Sequence, residues 1–337
     1  MAIVPPPVGE VPIGAAVATS LGRWRACSLE TMAPDHSSPP ALERLRGTVG
    51  VWTFAHELVE ATRSGELAAE VEACGFSALW FPETLGREAF VNAQLLLRGS
   101  RDLVVASGIA SIYARDAAAA RSASSTLAAL SGERFVLGLG VSHRPMVEEV
   151  RGQRYGAPVQ AMEDYLAAMD TAAPLSPESA LRAPVVIAAL GPKMLALAGR
   201  AADGALPYLV TPDHVGIARA AIGPDGFLAV EQAVVLSTDR SVALERAGAH
   251  LAIYTGLDNY RRSWERLGFT EADFVPGGSD RLREAVVAAG DVDDIAARVD
   301  ELRAAGADHV CLQVLNAEPF AAAPREEWRL LGAALGT

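Results

Sequence analysis

From Thr48 onward the chain alternates short apolar runs with longer segments of helical periodicity, and this alternation limits the fold more than any other feature. The runs fall at Thr48–Trp52, Ala78–Phe81, 103–109, 134–141, 185–189, 204–208, 228–236 and His309–Val314. Each is short, apolar and bounded by turn residues, as strands buried on both faces of a parallel sheet are. Helices fall between them. One covers 66–74, with Ser64 placed as its cap and Gly75 as its stop; another is the alanine-rich stretch 117–130. The clearest puts Val292, Ile295, Val299 and Leu302 on one face, between Asp291 as cap and Gly306 as stop, and leads into the eighth run. Eight strands joined by helices predict an α/β protein built as a (β/α)8 TIM barrel. A doubly wound dinucleotide-binding sheet lacks its fingerprint: Gly138-Leu139-Gly140 closes the fourth run, but position 143 is His143 rather than glycine.

Composition excludes several classes of function. A chain of 337 residues, half of them hydrophobic, can bury a large core. Its net charge of −12 argues against nucleic-acid binding, which needs a basic face. No stretch of about twenty residues is continuously apolar, so no membrane span is expected. The three cysteines, Cys27, Cys74 and Cys311, are far apart and form no Cys-x-x-Cys, which points to free thiols in a reducing, cytoplasmic setting. Residues 11–21 are mildly apolar but follow no basic region, so a secretory leader is not expected. Residues 1–46 are rich in Pro, Ala and Ser and are expected to be a poorly ordered extension without chemistry, leaving 47–337 as the barrel domain.

The fifth run leads into the turn that holds Lys193, the only lysine among 29 basic residues. Gly191-Pro192 stops the strand, and Pro192 suits the first position of a helix, where its missing N–H costs nothing. A strand passing through glycine into a helix start gathers free backbone N–H groups and a positive dipole at one point. Lys193 adds a full charge there, which is how a phosphate is held without a metal. Gly-Pro is also ordinary turn chemistry, and the shortage of lysine makes one survivor a weak signal by itself.

In a barrel the active face lies at the strand C-termini. The residues falling there are Trp52 and His56, Glu83, Ser107 and Gly108, Gly140, Ser142 and His143, Gly191 to Met194, and Tyr208. Several are small and leave room for a flat ligand to approach the backbone. Glu83 equally suits the cap of the following helix, and His56 and His143 equally suit loop packing. His214, His250 and His309 lie in helical segments or beside a strand start, where structural roles are favoured. No His/Asp/Glu group has metal-ligand spacing, and no Gly-x-Ser-x-Gly elbow exists. With neither metal nor nucleophile in view, an organic cofactor is the natural source of chemistry.

The segments Gly50-Val51-Trp52, Leu79-Trp80-Phe81-Pro82-Glu83, 106–115 (ASGIASIYAR), 134–143 (RFVLGLGVSH) and 188–194 (AALGPKM) occur in a telling order. Asn259-Tyr260-Arg261, Arg266-Leu267-Gly268-Phe269 and Gly306-Ala307-Asp308-His309-Val310 follow. Together they resemble the bacterial luciferase-like family, and within it the actinobacterial oxidoreductases that use the deazaflavin coenzyme F420. The likeness runs from about residue 47 to about 316.

The resemblance implies a TIM barrel with a tricyclic ring lying across the strand C-termini and a hydride passed between coenzyme F420 and a small organic substrate. The cofactor-binding set it implies is Trp52, Ser107, Gly108, Gly140, Val141, Ser142, Gly191, Pro192, Lys193 and Met194, with a cis peptide expected at Ser107-Gly108. Glu83 is the first candidate for the proton-transferring residue and His56 the second, with Trp52 as a pocket wall and His143 and Tyr113 as further contacts. The sugar-phosphate dehydrogenases of the superfamily carry an Asp-His pair after the second strand. Here Pro82-Glu83-Thr84 stands in that place, so neither that pair nor that substrate is carried over. An FMN-dependent monooxygenase working with oxygen and a separate reductase is the alternative, and a cofactor-binding protein without catalysis is a third reading. Arg144, Arg151 and Arg154 offer a cluster for the coenzyme's polyglutamate tail, or, interleaved with Glu148 and Glu149, a solvated loop. Segment 256–278 reads as an insertion whose Tyr260, Trp264, Phe269 and Phe274 roof the pocket, pack a helix pair or form a dimer face. The family resemblance also implies a homodimer.

Overall fold

In the computed structural model, which describes residues 39–172, 176–177, 181–317 and 322–336, eight parallel strands close into a ring surrounded by helices. The strands are β1 Thr48–Trp52, β2 Ala78–Phe81, β3 Val104–Ser107, β4 Phe135–Gly140, β5 Val185–Ala188, β6 Gly204–Leu206, β7 Phe227–Leu236 and β8 His309–Val314. Each pairs with the next, and β8 returns to β1 with His309 opposite Thr48. The barrel is the expected one, and every expected run contains a strand. Run 103–109 divides into β3 and a two-residue strand, Ala110–Ser111, which pairs with β4. Between them lies a cis peptide bond at Gly108-Ile109, one residue later than expected. A short strand not anticipated, Val287–Gly290, adds to the far half of β7.

Side chains alternate along each strand. Val49, Val51, Leu79, Phe81 and Val105 belong to the large cluster shared with the helices, while Ala78, Trp80, Val104, Ala106, Val136, Val186, Phe227, Ala229 and Cys311 fill the barrel. His309 sits in this interior, where burial pushes its imidazole down to about 3. Trp80 Nε1–H donates to its Nε2 at 3.1 Å, and its Nδ1 lies 3.1 Å from the Thr48 hydroxyl. Because Thr48 donates to Leu45 O, the imidazole must carry its hydrogen on Nδ1. Gly50 makes space for this ring: a Cβ there would fall 2.9 Å from both His309 Nε2 and Ala78 O.

The helices are α1 Pro40–Leu45, α2 Ser64–Ala73, α3 Ala89–Leu97, α4 Ala117–Ser131, α5 Pro158–Thr171, α6 Pro192–Ala201 and α7 Pro212–Ile222. They continue with α8 Arg240–Tyr254, α9 Asp258–Glu265, α10 Asp280–Val286, α11 Val292–Ala304 and α12 Arg325–Leu335. Helix α1 corrects the expected boundary at residue 46. Its Ala41, Leu42 and Leu45 are buried against the barrel interior, so the packed domain begins at residue 39. The rest of the expected extension, and Cys27 with it, lies outside the described residues. Ser64 is not a cap but the first residue of α2, its hydroxyl turned back to Glu60 O at 3.4 Å. Asp291 does cap α11, in a reciprocal pair with Asp294, and Gly306 follows that helix with φ +115°. Among the described residues no helix is long and apolar enough to cross a membrane.

Candidate active site

Over the strand C-termini the loops enclose a cavity of about 580 Å³ with mostly apolar walls. Trp52, the last residue of β1, forms one wall and is fixed by a 2.9 Å hydrogen bond from Nε1 to Gly108 O. Phe54 stands edge-on to it at 4.9 Å and Tyr208 lies 5.4 Å away, centroid to centroid. Beside it the lining follows the ends of β3 and β4 through Gly108, Ile109, Gly140, Val141 and Ser142. Two glycines are required there by space. A Cβ on Gly108 would lie 2.6 Å from Trp52 Nε1, and one on Gly140 would lie 2.5 Å from the Ile109 side chain.

One rim of the cavity is cationic. The chain leaves β5, passes Gly191 and enters α6 with Pro192 in its first turn and no side-chain cap at Gly191. Lys193 stands exposed at that turn and lines the cavity. Arg266, just beyond α9, reaches across to donate to Leu190 O at 3.4 Å, and its guanidinium would be 3.8 Å from a Cβ on Gly191. Arg262, one helical turn earlier, lines the same mouth. A helix N-terminus, Lys193 and Arg266 thus meet at the Gly191 turn, while Arg262 pairs with Asp258 at 3.4 Å; the turn is the kind of arrangement that binds a phosphate or carboxylate group.

A hydroxyl cluster lies on the other side. Tyr208, Tyr254 and Tyr260 line the cavity, and burial raises all three phenols above their ordinary range, Tyr254 to about 12. Tyr208 Oη donates to Gln313 Oε1 at 2.7 Å, accepts from Tyr254 Oη at 3.2 Å, and lies 3.2 Å from His250 Nε2. Beneath them Glu231 is fully buried on β7, with one carboxyl oxygen accepting from Leu209 N at 3.0 Å and the other unpartnered. Burial pushes this carboxyl up to about 8, so it is protonated at neutral pH.

Residues 47–309 match the model of the luciferase-like monooxygenase family, a span from just before β1 to the first residue of β8. The chain belongs to that family. A candidate coenzyme F420-dependent oxidoreductase of Mycobacterium tuberculosis is 25% identical over an alignment covering 75% of this chain and 91% of that protein. Among solved structures, an F420-dependent secondary alcohol dehydrogenase carrying an F420-acetone adduct superposes with a TM-score of 0.68 at 15% identity, over 86% of this chain and 98% of its own. The FMN-bound oxygenating component of a diketocamphane monooxygenase from Pseudomonas putida superposes with a TM-score of 0.63 at 11% identity, over 86% and 97%. At such identities the two structures speak to the fold alone.

In this luciferase-like barrel most of the expected cofactor set meets at one cavity. Trp52, Gly108, Gly140, Val141, Ser142, Gly191, Pro192, Lys193 and Met194 all line it. Ser107 does not: its hydroxyl is buried between β3 and β4, donating to Gly138 O and accepting from Gly138 N, both at 2.9 Å. His56 is also outside. It is buried against the edge of Phe81, 5.3 Å between centroids, its Nδ1 3.2 Å from Thr53 O and its Nε2 3.3 Å from a Glu57 oxygen. Glu83 reaches the wall, but its carboxylate is consumed by structure. It pairs with Arg115 and accepts from Ala89 N at 3.2 Å and Ser111 N at 2.9 Å, clipping β2 to the loop after β3. Tyr113 is not part of the wall, whereas His143 is, with its imidazole lowered by burial. Arg144 pairs with Glu148 at 2.7 Å and Arg151 donates to Thr84 O at 3.3 Å, and neither they nor Arg154 line the cavity. Of the insertion's aromatics only Tyr260 roofs the pocket; Trp264, Phe269 and Phe274 pack with α8 and α10.

Proposed function

We propose that this luciferase-like protein is an oxidoreductase that transfers a hydride between coenzyme F420 and a small uncharged organic substrate. The observation that carries this reading is the make-up of the cavity: an apolar chamber over the strand C-termini, with side chains excluded at Gly108 and Gly140, whose lining includes Lys193, Arg262 and Arg266. A planar tricyclic ring with an anionic tail fits that combination. The named activity of the Mycobacterium tuberculosis relative supports the same cofactor.

When bound, the coenzyme supplies or accepts the hydride. The protein's part is placement. Trp52, held by Gly108, and the backbone at Gly108 and Gly140 line the part of the chamber where the reacting ring would lie. Lys193, Arg266 and the first turn of α6 fix the anionic end, which sets how far into the chamber the ring reaches. The apolar walls exclude water and charged substrates. Glu83, tied to Arg115, Ala89 N and Ser111 N, holds this part of the wall in place.

The test is a fluorescence titration of the protein with F420 and, separately, with FMN. The expected result is micromolar or tighter binding of F420 and weaker binding of FMN, with Lys193→Ala weakening F420 about 10-fold, the worth of one charge-assisted contact. Preference for FMN would move the chain to the oxygen-using branch of its family.

A further inference from the structure

A second cavity of about 160 Å³ lies beside the first, between α8 and the end of β8, and the two share Phe54 and Tyr254. The volume holds several waters. His250 lines the second cavity and not the first; Tyr208 lines the first and not the second. Their polar atoms, Nε2 and Oη, are 3.2 Å apart. The hydrogen bonds around Tyr208 dictate their direction. A phenol has one hydrogen to give, and here it goes to Gln313 Oε1, while Tyr254 donates inward. His250 must therefore present Nε2–H to Tyr208, leaving Nδ1 as the acceptor on a ring that reaches the second cavity. Burial lowers this imidazole to about 4, so the neutral ring required by such an arrangement is the one present at physiological pH.

We propose that Tyr208 is the proton-exchanging catalytic residue of the main cavity and that His250 is a positioning residue connecting it to water in the second cavity, with an uncharged carbonyl compound as the acceptor. This rests on the F420 reading of the main cavity. The acceptor class follows from the donors present: the cluster offers neutral phenols at neutral pH, which favour a neutral oxygen, and the walls beside it are apolar. His143 also faces the cavity, but among the described residues its side chain has no hydrogen-bonded partner through which a proton could be replaced.

The step balances as follows. A hydride from the reduced coenzyme forms the new C–H bond at the carbonyl carbon, so the coenzyme is oxidised by two electrons and the carbonyl reduced by two. The π pair moves onto oxygen, which takes the Tyr208 Oη proton as that hydroxyl turns from Gln313 Oε1 to the substrate, giving the alcohol. As the phenolate takes the Nε2 proton of His250, water in the second cavity gives a proton to Nδ1, releasing hydroxide that buffer neutralises, and a flip of the imidazole ring returns an N–H to Tyr208. The reverse order oxidises an alcohol. Other charged and titratable groups around the relay are Arg246 and Tyr254 on α8, Tyr260 on α9 and Glu231 on β7.

The experiment follows oxidation of reduced F420 by cyclohexanone, 2-cyclohexenone and benzaldehyde, alongside the F420 dissociation constant and the melting temperature of each variant. Wild type is expected to turn over at least one carbonyl. Tyr208→Phe should bind F420 within about twofold of wild type while kcat falls about 100-fold, the ordinary size of a lost general acid. His250→Ala should lose turnover similarly and regain it when imidazole is added, a rescue that a purely structural histidine would not show. If F420 binds and no carbonyl is reduced, or if Tyr208→Phe turns over normally, the proposal is overturned while the F420 reading stands. If imidazole fails to restore a folded His250→Ala variant, the relay is overturned. If wild type does not bind F420, the underlying reading falls and this one with it.

Discussion

At the residue scale the site is a matter of which side chains are free to act. Glu83 shows the difference between proximity and availability. Its carboxylate is nearly fully buried and holds Arg115, which also bridges to Glu88 at 2.8 Å and covers the Phe90 ring at 5.0 Å. Glu83→Gln is expected to cost about 2–3 kcal/mol of unfolding free energy in denaturant titration, at the low end for a broken buried pair because Arg115 keeps Glu88. A variant with full stability and no turnover would instead return Glu83 to the chemistry. Gly108→Ala is expected to drive a methyl into Trp52 and weaken F420 binding at least 10-fold, read by the same fluorescence titration. Lys193 was legible from sequence because the strand, glycine, proline and helix start that position it are adjacent in the chain. The surroundings of Glu83 and His56 were not legible because a strand-end side chain has two directions open to it. The partner that decides the direction, Arg115, stands 32 positions further on. Tyr208 was legible as a strand-end residue, but Gln313 is 105 positions away and His250 42, and no local pattern joins them.

At the scale of elements, the eight strands were legible because parallel barrel strands are apolar on both faces and stand out between helices. The element misjudged was α1. Its surroundings are rich in proline, serine and alanine, which reads as disorder until the buried faces of Ala41, Leu42 and Leu45 are seen against the barrel interior. Only six residues long, it is too short for periodicity to declare it. Leu42→Ala is expected to destabilise the protein by about 2–3 kcal/mol, measurable as a lower denaturant midpoint at unchanged slope. If residues 39–46 were a dispensable extension, the substitution would leave the midpoint where it is. Helix α12 went unseen for a different reason: among the described residues no strand follows it, so the alternation that revealed the other elements gave no cue.

At the scale of the whole molecule, the barrel and the helix packed over its end bury titratable groups in their neutral forms, and their linkage gives stability a pH optimum. Burial lowers His309 to about 3 and His250 to about 4, below the ordinary 6.5, so below pH 6.5 the unfolded chain binds more protons and stability falls as pH falls. Glu231 has the opposite sign. Its folded value of about 8 lies above the ordinary 4.5, so stability drains away as pH rises through that window and levels off above it. The imidazoles outweigh the carboxyl below pH 6.5 and are silent above it. Stability should therefore peak near pH 6.5 and drop by at most ~2 kcal/mol by pH 8, at about 1.4 kcal/mol per pH unit. Denaturant titrations at several pH values check this, and Glu231→Gln should abolish the alkaline drop while leaving the acid limb.

The central claim is that one cavity at the strand C-termini takes the ring of a deazaflavin, with its anionic end at the β5–α6 turn. A crystal structure of the protein with F420 bound tests it most directly. The expected result is a phosphate within hydrogen-bonding distance of the Gly191–Lys193 backbone or the Lys193 and Arg266 side chains, and the ring beside Trp52 and the Gly140 backbone. A phosphate seated instead on the loop of Arg144, Arg151 and Arg154, or a ring outside the cavity, would contradict the account.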